Sequence, residues 1–453
     1  MSDATSVAQA EADRKAGFEE LEARVEDALR RATAAGVDGA EATASIHGGL
    51  SVNVRLGEVE TIEHTRDRGI SITVYAGGRK GHASSADLEP ESVLACVDRA
   101  VEIARFTEAD NCNGLADPDR MATEFPDLDL WHPHDLDAQA AIDRALAIEA
   151  AGRADAGITN SEGGSVSSSF GQSVYGNSNG FLGRSNGTRY GQSCVLVGGK
   201  GEGMQRDYWY DSTRRFEDLE SPEFTGREAA RRTLRRLNAR RVPTAKVPVV
   251  FAAEVARSLL GHFTGAIAGS ALYRNASFLK DAVGQPIFPD WLTISERPFE
   301  PRAAGSASFD AEGVTPAERD IIDAGVLTGY ILSSYSARRL GLQTTGNAGG
   351  VHNLRIGGAR GTQDDLLANI GTGLLVTEVM GQGVNLLTGD YSRGASGFWV
   401  ENGELAYPVE EVTVAGNLRD MFSNIRAIGE DVDTRGNAHI GSVVIDGMTL
   451  AGE

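Results

Sequence analysis

The chain has 453 residues, more than a single hydrophobic core normally organises, so two or three domains are expected. Its 43 basic and 64 acidic residues give a formal net charge of −21, which disfavours a general nucleic-acid-binding protein because phosphate backbones are also negative. We expect a cytoplasmic protein without a membrane span, because there is no long apolar run, no pattern of a secretory signal, and only three scattered cysteines.

Residues 1–125 combine helical and strand patterns. Leu21, Val25 and Leu29 recur at helical spacing and predict a helix over residues 11–35. Three stretches rich in β-forming residues follow, and a second helical pattern closes the region. This order predicts an N-terminal domain of mixed helix and antiparallel sheet.

The next region, residues 126–241, is predicted to hold a helix, an antiparallel meander and a basic helix. Residues 157–200 alternate in polarity and carry Asn-Gly pairs at 179–180 and 186–187, which are typical of hairpin turns. One face of this meander is expected to be polar. The arginine-rich segment 227–241 could suggest nucleic-acid binding, but we interpret it as an amphipathic helix whose arginines are solvated or paired with acidic residues.

A connector leads into residues 242–453, which are dense in glycine and in strand signals. Glycine makes up 55 residues of the whole chain, and many tight turns imply many short strands. We therefore predict an α+β protein, in which the N-terminal mixed helix and antiparallel-sheet region is followed by a β-rich C-terminal domain.

One predicted helix carries polar residues at spacings that suggest catalysis. Within AAEVARSLLGHFTGAIAG, residues 252–269, an otherwise apolar run contains Arg257, Ser258 and His262. A zinc peptidase helix holds its metal with two histidines and uses a neighbouring glutamate as the base. A guanidinium cannot bind zinc and a serine hydroxyl is a poor base, so the helix alone offers only His262.

Other routes to a catalytic centre have little support in the sequence. The weak candidates for a metal are His262, His352 and His439, and no cysteine or anchored carboxylate joins them in a recognisable pattern. The chain has no G-x-S-x-G element, and its glycine-rich turns lack the lysine of a phosphate loop. Composition and spacing alone leave the function open.

Long segments of the C-terminal half are the most distinctive part of the chain. Two of them read FDAEGVTPAERDIIDAGVLTGYILSSYSARRLGLQTTGNAGGVHNLRI and GTGLLVTEVMGQGVNLLTGDYSRGASGFWVENGELAYPVEEVTVAGNL. They resemble the PmbA/TldD metallopeptidase family, and the similarity continues from about residue 18 to the C-terminus. Within that family the chain is more similar to the PmbA (TldE) type than to the TldD type.

The resemblance implies a zinc helix that has lost its ligands. Chains of the TldD type carry H-E-x-x-x-H and a downstream cysteine as zinc ligands. On this sequence the two histidines fall at Arg257 and His262, the glutamate falls at Ser258, and the cysteine falls near Ile440. The resemblance therefore implies no cofactor in this chain and zinc in a TldD-type partner.

The leading hypothesis is a TldE-type subunit of a heterodimeric zinc metallopeptidase that degrades unstructured peptides and matures a microcin precursor. It would be inactive alone, would pair with a homologous TldD-type subunit, and would form a homodimer without it. The polar meander at 157–200 or the glycine-rich stretch 379–404 would line the peptide channel.

Two further hypotheses come from other classes. One is a non-proteolytic regulatory binding protein of the gyrase-modulator type, acting as a homodimer. The other is an independent hydrolase built from His262, His352 and His439.

Overall fold

The structure is a computed structural model that describes residues 2–452, with side chains described for residues 9–201 and 203–452. No helix within residues 2–452 combines the length and the apolarity needed to cross a bilayer. The helices are α1 Ser2–Ala34, α2 Pro90–Phe106, α3 Ala138–Gly152, α4 Pro222–Arg235, α5 Ala253–Ala266, α6 Gly269–Tyr273, α7 Ser334–Leu340, α8 Gln363–Ile370 and α9 Leu418–Ser423.

Strands make up the larger share of the secondary structure. They are β1 Gly39–Arg55, β2 Glu58–Ala76, β3 Arg79–Ser85, β4 Ile158–Asn177, β5 Leu182–Gly198, β6 Gln205–Thr213, β7 Ala245–Phe251, β8 Thr293–Glu296, β9 Arg319–Asp323, β10 Val326–Leu327, β11 Leu354–Gly357, β12 Gly373–Met380, β13 Asp390–Glu401, β14 Glu404–Asn417, β15 Ile425–Ile428, β16 Ala438–His439 and β17 Val443–Ala451.

The first sheet joins the two N-terminal regions of the sequence. Its six strands are all antiparallel and follow the order β3-β2-β1-β4-β5-β6. The long central pairing of β1 with β4 runs from Glu41 opposite Asn177 to Val54 opposite Gly164. One sheet therefore spans the boundary that the sequence indicates near residue 125.

All four N-terminal helices cover one face of this sheet. Ala40, Ala42 and Ala44 of β1 pack with α1 and α2, whereas Val52 and Val54 pack with α3 and α4. These positions alternate along the strand, as expected for a sheet with one buried face. The opposite face is polar, which confirms the polar-faced meander.

The prediction of a hairpin turn at Asn186-Gly187 is wrong. Asn186 and Gly187 form no turn but lie inside β5, opposite Gln172 and Gly171. A β-carbon at Gly187 would come within 2.8 Å of the Arg214 guanidinium, so this glycine makes room for a side chain. The Asn-Gly pair at 179–180, by contrast, does connect β4 to β5.

The basic helix is also shorter than predicted. It ends at Arg235 rather than near residue 241. Asn238 has a φ of 61°, in the left-handed region that cannot continue a right-handed helix. The chain from there to β7 is a connector.

The C-terminal region is rich in strands, as predicted, and contains two sheets. One has the order β10-β9-β8-β11-β16 and the other β14-β13-β12-β7-β17-β15. Because β14 also pairs with β17, five strands of the second sheet close into a ring. Large side chains from the ring and its helices share one core, among them Phe251, Phe263, Tyr391 and Phe422.

A buried carboxylate fixes the turn between β1 and β2. Glu149 of α3 is 1% exposed and accepts hydrogen bonds from the backbone N–H groups of Leu56 and Gly57, each at 2.8 Å. Both turn residues have positive φ, 53° and 85°, as in the two-residue turns that suit hairpins. Helix α3 thus holds the hairpin in place through one side chain.

Replacing Glu149 with alanine should lower the free energy of unfolding by about 1–3 kcal/mol, because two backbone donors lose their acceptor. Glu149→Gln keeps one acceptor oxygen and should lose less. Urea denaturation followed by circular dichroism measures both variants. Equal losses in the two variants would show that the hydrogen bonds to the turn are not what Glu149 contributes.

Candidate functional site

Helix α5 begins directly after β7, a strand inside the closed ring. Its apolar face, with Ala256, Leu260 and Phe263, is buried in the C-terminal core. The polar residues singled out by the sequence lie on the remaining surface of the helix. Arg257 and Ser258 line a cavity of about 250 Å³.

Arg257 is bound by two groups from distant parts of the chain. Its Nη2 donates a hydrogen bond of 2.9 Å to the hydroxyl of Tyr210 in β6. Its Nε lies 3.4 Å from a carboxylate oxygen of Asp433, in the loop before β16. The guanidinium therefore connects α5 both to the first sheet and to the segment that follows β15.

Asp433 is the buried acid at the centre of this cluster. It is 7% exposed and accepts hydrogen bonds from Nε and Nη2 of Arg435, at 2.9 and 3.0 Å. Burial raises the pKa of Asp433, but hydrogen bonds from Arg435 and the charges of Arg435 and Arg257 outweigh burial and hold the pKa below its ordinary value. The acid is therefore ionised at neutral pH.

Aromatic rings complete the surroundings of Arg435. Its guanidinium carbon lies 4.4 Å from the ring centroid of Trp209 and 4.3 Å from that of Tyr210. Its Nη1 also donates to the backbone oxygen of Tyr210 at 3.0 Å. Such cation–π contacts add to the ion pair and fix the position of the loop against β6.

Ser258 and His262 do not form a catalytic pair. The Ser258 hydroxyl and the His262 Nε2 are both buried, and neither has a hydrogen-bond partner among the described residues. The His262 ring lies edge-on to Tyr391, with 5.9 Å between centroids. Burial first, and the charge of Arg393 second, lower the pKa of His262, so its imidazole is neutral at pH 7.

The other two candidate histidines are bound to the backbone. His352 lies between the carbonyl oxygens of Gly305 and Gly346, which are 3.2 and 3.1 Å from its two ring nitrogens. The Nε2 of His439 lies 3.0 Å from the carbonyl oxygen of Gly436. Both rings therefore have partners that explain their positions without a metal.

The residues around α5 do not fit a zinc ion. Zinc in proteins takes three or four ligands from cysteine, histidine and carboxylate side chains. Within residues 2–452, no group of three such side chains is placed to hold a metal. The guanidinium of Arg257, which lines the cavity, is positively charged and repels a cation.

Two arginines at the end of α4 reach the same cavity, Arg232 within the helix and Arg236 directly after it. Arg232 is 7% exposed and lies between Asp207, at 3.5 Å, and Glu254, at 2.7 Å. Arg236 contacts Asp207 at 3.6 Å and Glu378 at 2.7 Å. The pairing of this helix with acidic residues is confirmed for these two arginines. The sequence could not identify their partners, because Asp207, Glu254 and Glu378 lie on three different elements, β6, α5 and β12.

The polar face of the first sheet borders a second recess. A cavity of about 350 Å³ on this sheet is lined by hydroxyl and cationic side chains, including Ser51, Ser167 and Arg189. Arg189 also donates a hydrogen bond of 3.0 Å to the backbone oxygen of Arg435. This contact joins the polar sheet face to the loop that carries Asp433.

Family models match three consecutive parts of the chain. Domain 1 of the PmbA/TldA metallopeptidases matches residues 44–104, the central domain matches 131–237 and the C-terminal domain matches 244–452. The chain belongs to the PmbA/TldD metallopeptidase family. Helix α5 and the loop with Asp433 both lie within the matched C-terminal domain of this family.

Members of the PmbA/TldD family with curated names match almost the whole chain. Metalloprotease PmbA of Escherichia coli O157:H7 is 50% identical over 449 residues, which cover 99% of this chain and 98% of that protein. The PmbA homolog of Haemophilus influenzae is 46% identical and covers 97% of each chain. A TldD homolog from the same species is 22% identical over 80% of each chain.

Solved structures of similar proteins share the fold. A putative modulator of DNA gyrase from Bacteroides thetaiotaomicron superposes with a TM-score of 0.91 at 29% identity, covering 95% of this chain and 99% of that chain. TldE from Thermococcus kodakarensis has a TM-score of 0.81 at 20% identity, covering 95% and 100%. At that identity the second match shows the fold alone.

Replacing Arg257 with methionine should lower the free energy of unfolding by about 1–3 kcal/mol at pH 7, because Asp433 loses a cation. Because the pKa of Asp433 is lower in the folded chain than in the unfolded chain, its ionised carboxylate stabilises the native state above pH ~4. This stabilisation is lost as the pH falls through the pKa of the folded state. The difference between variant and parent should therefore shrink toward pH 3. Urea denaturation across this pH range measures it.

Arg227→Met, at an exposed position of α4, is the matched control and should change little. An Arg257→Met effect that stays constant from pH 7 to pH 3 would show that Arg257 does not act through the Asp433 carboxylate.

Proposed function

We propose that this chain is a TldE-type subunit of a two-chain zinc metallopeptidase, and that the zinc ion is bound by its TldD-type partner. The observation that carries the proposal is the ion pair of Arg257 with Asp433. At the position where the family motif has its first histidine, this chain has a cation that is already neutralised by a buried acid.

The role assigned to this chain is to complete the channel for unstructured peptides, among them a microcin precursor, in the cytoplasm. An extended peptide is held mainly by hydrogen bonds to its main chain. The polar face of the first sheet offers hydroxyl groups on alternate residues and a recess beside them. The glycine-rich stretch 379–404 contains all of β13, one of the strands of the C-terminal ring.

Direct binding to nucleic acid is not proposed. Its support in the sequence was the arginine-rich segment 227–241, and two arginines of that segment, Arg232 and Arg236, contact carboxylates. The formal charge of −21 also opposes contact with a phosphate backbone. A mobility-shift assay with duplex DNA at low salt should show no complex.

The decisive experiment is reconstitution of peptidase activity. The purified chain should not hydrolyse an unstructured peptide, and activity should appear when a TldD-type chain is added. A chelator should abolish that activity, because the partner's zinc activates water. Elemental analysis should find a single zinc ion per heterodimer and much less than one equivalent in the isolated chain.

Substitutions in each chain separate the two possible locations of the metal. His262→Gln in this chain should leave the activity of the complex unchanged, whereas replacing the glutamate of the partner's zinc helix should abolish it. Loss of activity in His262→Gln, with the complex still formed, would assign a metal or catalytic role to this chain and would refute the proposal.

A further inference from the structure

The recess on the polar face of the first sheet, called here the polar recess, is lined by two arginines and, among the described residues, by no carboxylate. Arg189 in β5 and Arg214 directly after β6 face this cavity of about 350 Å³. Hydroxyl groups, glycines, His47, Leu50 and Phe170 make up the rest of its lining. The chain as a whole carries 64 acidic residues, so a cavity with cations and without acids is an exception in its charge distribution.

Both arginines are held by neutral groups. Arg189 donates a hydrogen bond of 2.7 Å from Nε to the hydroxyl of Ser212, and Arg214 donates one of 3.2 Å from Nη1 to the backbone oxygen of Thr188. Their remaining acceptors are also backbone oxygens. Within residues 9–201 and 203–452 neither guanidinium forms an ion pair, so both positive charges stay uncompensated.

Other arginines that are largely buried in this chain do contact carboxylates. Arg232, Arg319 and Arg435 lie 2.7, 3.0 and 2.9 Å from an acidic oxygen. Arg214 has no such neighbour, and burial, followed by the charge of Arg189, lowers its pKa. Its Nε is also buried without a hydrogen-bond partner among the described residues. A bound anion would oppose both effects, because it favours the charged form of the guanidinium.

Glycines keep the polar recess open above the sheet. Gly49, Gly171 and Gly187 line it from β1, β4 and β5. A β-carbon at Gly187 would come within 2.8 Å of the Arg214 guanidinium, and one at Gly171 within 2.7 Å of the His47 ring. The backbone therefore forms the floor of the recess, and a ligand can approach closely.

Serine hydroxyls accompany the arginines in the strand register. Ser169 lies opposite Gly49 on one side and Arg189 on the other, and Ser167, two residues away, lies opposite Ser51. Ser167 and Ser169 are exposed. A hydroxyl both donates and accepts hydrogen bonds, whereas a guanidinium only donates. The serines can therefore bind amide groups of a peptide main chain while the arginines bind an anion.

We propose that the polar recess is an anion subsite in which Arg189 and Arg214 bind a carboxylate of the peptide, at its C-terminus or on an acidic side chain. Guanidinium groups match the two oxygens of a carboxylate in geometry as well as in charge. The subsite rests on the proposed function for the nature of the ligand. Its test measures binding to the isolated chain, without partner, zinc or cleavage, so peptidase reconstitution can fail while binding persists, and the reverse.

Isothermal titration calorimetry with the full chain tests the subsite. The probes are short unstructured peptides of glycine, serine and alanine with an acetylated N-terminus. One has a free C-terminal carboxylate, one has a C-terminal amide, and one has the amide and a single internal glutamate. At least one carboxylate peptide should bind about tenfold or more tightly than the plain amide. Preference for the free acid identifies the C-terminus as the ligand, and preference for the glutamate peptide identifies a side chain.

Substitutions locate the preference in the polar recess. Arg189→Gln/Arg214→Gln should abolish it, so that acid and amide bind equally. Arg184→Gln/Arg206→Gln makes the same change of charge at exposed positions of β5 and β6 outside the recess, and it should keep the preference. Ser167→Glu leaves both arginines in place and supplies an internal carboxylate, so it should also abolish the preference.

Thermal melts confirm that each variant is folded. Because Ser167→Glu changes only an exposed side chain, it tests the subsite even if loss of the arginine contacts unfolds the glutamine pair.

Four results would overturn the proposal. They are absent or equal binding of all three peptides by the parent chain, a preference that survives either recess variant in folded form, a preference lost equally in Arg184→Gln/Arg206→Gln, and tighter binding of inorganic phosphate than of the carboxylate peptides. The last result would assign the polar recess to a phosphate group instead.

Discussion

A buried carboxylate determines how the parts of the candidate site meet. Asp433 cannot remain ionised at 7% exposure without cations, and the chain supplies them from two places, Arg257 on α5 and Arg435 two residues further along the loop. Because Arg435 also stacks on aromatic rings of β6, the same charge fixes the C-terminal region against the first sheet. Helix α5 and this loop are therefore connected by the ion pair of Arg257 with Asp433.

Features with local causes could be predicted from the sequence. Helix α2 spans the residues of its periodic pattern, and the polar meander follows from alternation along β4 and β5. The positions of Arg257, Ser258 and His262 on one helix could be predicted because the three residues lie close together in an otherwise apolar run. Each of these inferences needs only neighbouring residues.

Features that depend on distant contacts could not be predicted. Nothing near Arg257 in the sequence points to Asp433, which lies 176 positions away by subtraction of their numbers. The Asn-Gly pair at 186–187 has the composition of a turn, yet it lies inside β5, where a β-carbon on Gly187 would come within 2.8 Å of Arg214. The prediction extended α4 too far because arginines continue beyond Asn238 in the sequence. In the structure Asn238 has a left-handed backbone conformation, which a right-handed helix cannot include.

The two faces of the first sheet differ in polarity and in what they contact. One face carries all four N-terminal helices and supplies their cores, whereas the other carries hydroxyl and cationic groups beside a recess. Glycines such as Gly164 and Gly226 allow this separation, since a β-carbon at either would meet backbone atoms of α3 at 2.6 and 2.1 Å. The close packing of α3 on β4 and of α4 on α3 therefore depends on these two glycines.

The closed ring of the C-terminal region has a consequence for biosynthesis. Strand β17, Val443–Ala451, lies between β7 and β15 and also pairs with β14. Its Val443 lies opposite Phe251 of β7, which precedes it by 192 positions by subtraction of their numbers. Until this segment has been synthesised, β7 can pair with β12 but not with β17, and the ring stays open. The first sheet, complete by Thr213, can fold while the remainder is still being translated. The ring is thus the last part to form, and a nascent chain stalled before residue 443 would expose apolar strands to chaperones.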